Sequence, residues 1–549
     1  MNLHPTLRRF LSFDMALLAF LALAKLLIHF YTNGSYGLHR DELLYLAMGE
    51  HLSWGYLEVP PSIALFAKLT QWIGGDSLFA IRFFPALLGS LVVLLTGLMV
   101  WEFGGNRFAM LLAGVAVIIA PVYLRAHTLF QPVAFDQFYW TLGALVLILL
   151  IRKGEGTTSG GDAPLTGERQ SAGPWFPANL TASPVKYHWT LIGIICGLGL
   201  LNKYSMLFWI FGFCAGLLLT PLRRQFLTPW PWIAGGVAFL LFLPNLVWQI
   251  GQGWPFFEHL GKLNEYQFSN LRRADFLLGQ ILIMHPAAFP VWFLGILYFF
   301  QKKTARPYRV FGWMYLAIAA LLLIFNGKHY YLAPMYPVLF AGGAIYIDRF
   351  LRKKRWYWMK PCIITILLLS GIFLAPYGLP LLPVEYLEHY AQFLAKHAGL
   401  EAPLRKESGE PGKIPQDFAD MFGWEEKVAA IAEIYHALPA EQQAECALLA
   451  GNYGQAGAID FYREKYRLPA AVSFHSSYYL WGPGDQPGTT AISLGIPLEG
   501  LKRYYRSIKL MDMVKHDYVI DSENNLPLYL CRHPQKTLPE IWPDLRGFR

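Results

Sequence analysis

The chain has 549 residues, of which 55% are hydrophobic, 16% aromatic and only 15% charged, where a soluble protein carries roughly 25% charge. With long apolar runs recurring over its first two thirds, this composition excludes an ordinary soluble enzyme and indicates an integral membrane protein. The net charge of +9 is divided among small Lys/Arg clusters between those runs, so it gives no sign of a nucleic-acid partner.

Arg8 and Arg9 precede a first apolar run at 14–31. The pairing resembles a signal peptide, but no small-residue cleavage site follows and more apolar runs do, so an uncleaved first helix is predicted. Ten further apolar segments fall near 78–101, 108–124, 134–151, 189–202, 204–220, 230–250, 278–300, 311–325, 330–347 and 361–376. As one helix, 189–220 would measure about 48 Å against a hydrocarbon core of roughly 30 Å. Two short helices meeting at Asn202-Lys203 fit better.

The charge distribution supports that split. Eleven spans with the N-terminus inside place Arg8/Arg9, Arg107, Arg152/Lys153, Arg223/Arg224, Lys302/Lys303/Arg306/Arg309 and the basic run 352–355 on the cytoplasmic side. Parity then puts His39–Glu42, Asp136, Asn202-Lys203, His259 and Lys328-His329 on the outer side. The inner loop 152–188 contains a Gly/Ser/Thr/Pro-rich stretch at 154–184 that reads as a flexible linker. The outer loop 33–76 is amphipathic and predicts helices lying along the membrane interface, capping a cavity.

Beyond residue 379 the sequence turns polar and holds no further span. Strand-like runs at 444–450 and 517–521 and a helical pattern at 456–466 predict an α/β module. The expected fold is therefore a polytopic α-helical membrane domain over 1–378, with about eleven transmembrane helices, followed by a soluble α/β domain over 379–549. The five cysteines form no disulfide framework and no metal-ligand spacing; Cys446 and Cys531 share the C-terminal region and leave a single bridge open.

Candidate chemistry gathers at the outer ends of the spans. His39-Arg40-Asp41-Glu42 follows the first span, Asp136 opens the fourth, Lys203 sits at the helical hairpin, His259 lies in Phe257-Glu-His259, and Lys328-His329 separates the ninth and tenth spans. Singly, each also reads as a helix-start acid, an interfacial anchor or a snorkelling lysine. Together they are functional candidates, because ionisable groups near membrane depth are expensive to keep. Carboxylates can take or orient a hydroxyl proton, and cations can neutralise a phosphate leaving group. A lipid-linked phosphosugar donor needs both. A transporter or flippase of lipid-linked sugars is the alternative, since transporters gather charges too.

The motif His-Arg-Asp41-Glu42-Leu-Leu-Tyr-Leu-Ala, followed by Gly55-Tyr-Leu-Glu58-Val-Pro-Pro-Ser, resembles bacterial GT-C glycosyltransferases of the dolichyl-phosphate-mannose protein mannosyltransferase and aminoarabinose transferase superfamily. Phe135-Asp136, Gly199-Leu-Leu-Asn-Lys203-Tyr-Ser, Phe257-Glu-His259 and Lys328-His-Tyr-Tyr-Leu-Ala-Pro334 extend the likeness over the eleven spans. The resemblance implies sugar transfer from a polyprenyl phosphate to a glycan, lipid or protein acceptor at the periplasmic face of a bacterial inner membrane. It implies Asp41 as the catalytic carboxylate, Glu42 in support and Asp136 as the second acidic position. Lys203 would hold the donor phosphate, helped by Arg40, Lys328 and His329. No cofactor is implied with certainty. Glu58 and His259 match positions of a divalent-metal site in the aminoarabinose branch, with His285 as a rival ligand. That branch has Glu-Lys-Pro where this chain has Glu58-Val59-Pro60.

Two stretches stay open. Gly451-Asn-Tyr-Gly454-Gln-Ala-Gly457 follows a strand-like run and precedes a helix, but its spacing is not that of a dinucleotide fingerprint; a capping loop or acceptor contact suits it better. Ser476-Ser-Tyr-Tyr-Leu-Trp481-Gly-Pro-Gly is either an aromatic sugar platform or domain packing.

Overall fold

A computed structural model describes residues 13–156, 185–263, 273–406, 410–484 and 486–548. Arg8, Arg9 and residues 157–184 of the expected linker lie outside them. The chain resolves into two compact units, Met1–Asn33 with Arg82–Leu379, and Gly34–Ile81 with Pro380–Arg549. The loop that sequence alone assigned to the membrane domain thus clusters with the C-terminal residues.

The first unit is helical, and all eleven apolar segments form helices. Among the described residues, seven helices are long and apolar enough to cross a membrane, and two bent pairs, Met206–Leu218 with Pro221–Leu227 and Arg273–Ile283 with Pro286–Gln301, raise the number to nine. The other two expected segments are the helices Arg107–Ile119 and Val185–Asn202. Arg107–Ile119 ends early because Pro121 cannot donate to its ladder, and the chain restarts as Pro121–Ala126. The 189–220 stretch breaks where helix length demanded: Val185–Asn202 stops and Met206–Leu218 begins. Buried Asn202 fixes that turn by donating from Nδ2 to the Pro132 carbonyl at 3.0 Å.

The basic clusters meet the few acids of the bundle. Arg107 pairs with Asp14 at 2.5 Å and Arg152 with Glu102. Buried Asp348 accepts from Arg352 Nε at 2.8 Å, Lys360 Nζ at 2.7 Å and Asn106 Nδ2 at 2.9 Å. These pairs join helix ends that the charge rule assigned to one face. Elsewhere the helices approach at backbone distance: a Cβ on Gly295 would overlap the Leu339 carbonyl, and one on Gly343 the Val291 carbonyl. Small residues at crossings replace the hydrophobic drive that is missing between helices in lipid.

The second unit carries a five-stranded sheet of β1 (Cys446–Ala450), β2 (Ala471–Val472), β3 (Thr490–Leu494), β4 (Tyr505–Val514) and β5 (Leu526–Pro534). The order is β2-β1-β3-β5-β4, with β1 parallel to β2 and β3, and β5 antiparallel to β3 and β4. β1 and β3 are buried along their whole length, as central parallel strands must be. Residues 517–521 are not the strand expected of them. The ladder ends at Val514, and the Tyr518 amide donates to His516 Nδ1 in a turn, while Val519 and Ile520 are buried without pairing. Their apolar pattern reflects burial, which periodicity cannot distinguish from a strand over so few residues. Cys446 and Cys531 are both free and buried, on strands separated by β3.

Candidate active site

The Arg40–Glu50 helix starts at His39, whose Nδ1 accepts the Asp41 amide at 3.1 Å, while Glu42 Oε2 accepts the His39 amide at 2.8 Å. This reciprocal capping box satisfies two amides that a helix start otherwise leaves bare. It also accounts for Glu42, which is fully buried: one of its oxygens holds the cap. Asp41, at the second helical position, accepts from Tyr453 Oη at 2.9 Å on Oδ1. Both acids sit where the helix dipole favours negative charge.

Arg40 lies between two partners from the C-terminal part of the same unit. Its Nε is 3.6 Å from Asp420 Oδ1, and its Cζ stands 5.7 Å from the centre of the Tyr453 ring. Asp420 is also 3.9 Å from His39 Nε2. Burial pushes the Asp420 carboxyl above the usual range, and His39 and Arg40 pull against that. Sequence reading missed Asp420 and Tyr453, because each meets the motif from about 400 residues away; Tyr453 lay within the Gly451–Gly457 stretch, whose glycine spacing gave no sign of a partner in the first loop.

In the membrane unit the structure gathers Asp136, Lys203 and Lys328. Asp136, buried near the start of the Pro132–Gly156 helix, accepts from Ser205 Oγ at 2.8 Å. Asp136 and Lys328 are the charged neighbours of Lys203. Lys203 Nζ stands over two rings, 5.5 Å from the centre of Tyr330 and 5.3 Å from that of Tyr331. Aromatic faces attract an ammonium without cancelling its charge, so Lys203 stays available to an anion. The turn that supplies the rings is held by polar bonds: Gln280 Nε2 donates to the His329 carbonyl at 3.0 Å, and Gln280 Oε1 accepts from Tyr336 Oη at 2.9 Å. His329 is thereby anchored through its backbone. Tyr330 and Tyr331 are the residues missed here; their place directly after Lys328-His329 was the available signal.

Among the described residues, Glu58, His259 and His285 make contacts that need no metal. Glu58 accepts from the Ser477 amide at 2.9 Å and the Ser477 hydroxyl at 2.5 Å, tying the first loop to the start of the Ser477–Trp481 helix. His285 Nδ1 accepts the Ala287 amide at 3.2 Å as a cap. His259 lies in the helix Pro255–Leu263, beginning where Phe256 packs on Tyr204 at 4.4 Å. Among the described residues, no three of His, Cys, Asp and Glu are grouped as metal ligands. The aromatic loop packs within its own unit, with Trp481 stacked on His51 at 4.2 Å and Tyr478 Oη donating to Asp460 at 2.7 Å.

Residues 47–130 and 175–248 each match a model of dolichyl-phosphate-mannose-protein mannosyltransferases. No curated protein sequence matches the chain. Among solved structures, ArnT from Cupriavidus metallidurans bound to undecaprenyl phosphate is similar over 93% of this chain and 97% of its own, with a TM-score of 0.55 at 13% identity. Its apo state gives a TM-score of 0.56 at 14% identity, over 94% and 98%. At that identity the likeness concerns the fold: this chain has the GT-C fold of ArnT, a multi-pass helical membrane unit with a small sheet in its C-terminal part.

Proposed function

We propose that a chain with this GT-C fold is a membrane glycosyltransferase that moves a sugar from a polyprenyl-phosphate donor to an acceptor hydroxyl on a glycan, lipid or protein. Its place would be the bacterial inner membrane, with the reacting groups on the periplasmic side, as the distribution of Lys and Arg favours. The observation that carries the reading is Lys203, a cation held over two tyrosine rings with Lys328 and Asp136 as charged neighbours. It sits in a bundle whose fold resembles a protein crystallised with undecaprenyl phosphate. An ammonium over two aromatic rings, with a second cation as its charged neighbour, suits a phosphate at the end of a lipid tail.

In this reading Asp41 accepts the proton of the acceptor hydroxyl as that oxygen attacks the anomeric carbon. The bond from the anomeric carbon to the phosphate oxygen breaks, its electron pair leaves with the polyprenyl phosphate, and the anomeric configuration inverts. Lys203, helped by Lys328, neutralises the charge that develops on the phosphate, where such stabilisation is usually the largest single effect. Asp136, oriented by Ser205, positions the donor sugar or the acceptor.

Asp41→Asn should fold and insert normally yet lower transfer from purified lipid-phosphate sugar by about 100- to 10,000-fold, the range for losing a general base. Normal transfer by this variant would remove the assignment. Translocation of the donor with no glycosidic product from any purified acceptor would favour the flippase reading instead.

A further inference from the structure

The Gly451, Gly454 and Gly457 spacing, which fits no nucleotide-binding fingerprint, has a geometric explanation within the second unit. The Tyr453–Tyr466 helix lies against the Arg40–Glu50 helix at near-backbone distance. A Cβ on Gly454 would stand 2.5 Å from Arg40 Cγ and 2.9 Å from Trp424 Cη2, and one on Gly457 would stand 2.9 Å from the Leu43 carbonyl oxygen. No larger residue permits that approach without a shift.

The start of the Tyr453–Tyr466 helix is fixed as strictly as its face. Asn452 Oδ1 accepts the Gly454 and Gln455 amides at 2.9 and 3.1 Å. Asn452 Nδ2 donates to Glu523 Oε1 at 2.6 Å, and Gln455 Nε2 donates to Glu523 Oε2 at 3.1 Å. Glu523 is neutralised by Lys427 at 2.8 Å, both residues being 2% exposed. A buried ion pair is a poor source of stability but can specify one arrangement. Here the arrangement it specifies is the first turn of the Tyr453–Tyr466 helix, which carries Tyr453.

We infer that Tyr453 is a positioning residue for the transfer reaction, its hydroxyl holding Oδ1 of Asp41 and so fixing the plane of the carboxylate that receives the acceptor proton. The C-terminal part of the chain would thereby supply a functional group to the first-loop motif rather than serve as an appendage. Burial and the adjacent Asp41 carboxylate keep the Tyr453 phenol well above its ordinary pKa, so it donates at every working pH. Arg40 beside the Tyr453 ring, with Asp420 behind it, limits how far that ring can turn. The inference rests on Asp41 being the catalytic carboxylate, as proposed above.

The test compares full-length Tyr453→Phe with wild type, Asp41→Asn and Tyr505→Phe, using a purified polyprenyl-phosphate sugar and a saturating acceptor. Tyr505 donates to the Gly488 carbonyl at 3.1 Å within the same unit, so its variant reports the loss of a tyrosine hydrogen bond with no link to Asp41. With Asp41→Asn inactive, Tyr453→Phe should lower kcat about tenfold, as expected for one hydrogen bond to a charged group. KM for both substrates and the melting temperature should stay near wild type, and Tyr505→Phe should keep its kcat. A Tyr453→Phe kcat within twofold of wild type would overturn the inference while leaving the Asp41 assignment intact. An equal kcat loss in both tyrosine variants, tracking their melting temperatures, would overturn it too. Full activity of Asp41→Asn would remove the underlying reading, and the inference with it.

Discussion

The two clusters handle charge in opposite ways. Around Lys203, a cation rests on the faces of Tyr330 and Tyr331, and the nearby Asp136 carboxylate accepts from Ser205. Around Asp41, carboxylates and cations are tied into bonds from several directions: the capping box of His39 and Glu42, Tyr453 on Asp41, Asp420 beside Arg40, and the buried Lys427–Glu523 pair behind them. An arrangement that holds a cation on aromatic faces suits binding an anion. One that fixes a carboxylate by hydrogen bonds suits orientation, where a small angular error is enough to slow a proton transfer. In the proposed reading, the first cluster binds the donor phosphate and the second holds the geometry of the carboxylate.

Three variants sharpen or break that contrast. The largest effect is expected of Lys203→Ala, which should lower kcat/KM for the lipid donor by about 10- to 100-fold, the value of a charge-assisted bond to phosphate. Lys203→Arg should recover much of it. Unchanged donor kinetics in Lys203→Ala would show that the ammonium is merely an anchor on two rings. Next, Gly457→Val should destabilise the protein by about 1–3 kcal/mol, because its side chain meets the Leu43 backbone. A thermal scan showing no loss would mean the two helices are free to separate and that the second cluster is not the rigid one. The smallest effect is expected of Glu42→Gln. Glutamine also closes a capping box, so kcat should stay within a few-fold of wild type with a stability change of about 1 kcal/mol or less. A loss comparable to that of Asp41→Asn would make Glu42 a participant in proton transfer rather than a cap.

Much of the membrane unit was legible because lipid imposes simple rules on a sequence. A span must be apolar, long enough and internally hydrogen-bonded, so run length demanded a break, the polar pair Asn202-Lys203 located it, and the Lys/Arg clusters predicted which helix ends share a face. Asp136, Lys203 and Lys328 could be named together since each closes or opens a span. The second unit obeys looser rules. Residues 517–521 carried a strand's apolar pattern and form a turn, because burial on a small sheet domain does not require pairing.

The sequence by itself determined a polytopic helical chain with an α/β C-terminal module, and offered Asp41 both as a helix-start acid and as a functional candidate. Local chemistry is enough for that: an N-cap, two acids and an apolar run fix a helix start without distant partners. Only the tertiary structure decided what faces Asp41. Tyr453 and Asp420 come from about 400 residues downstream, brought in by glycines whose worth lies in the side chains they lack. A missing Cβ has no signature in composition or periodicity until the surface that needs the space is known.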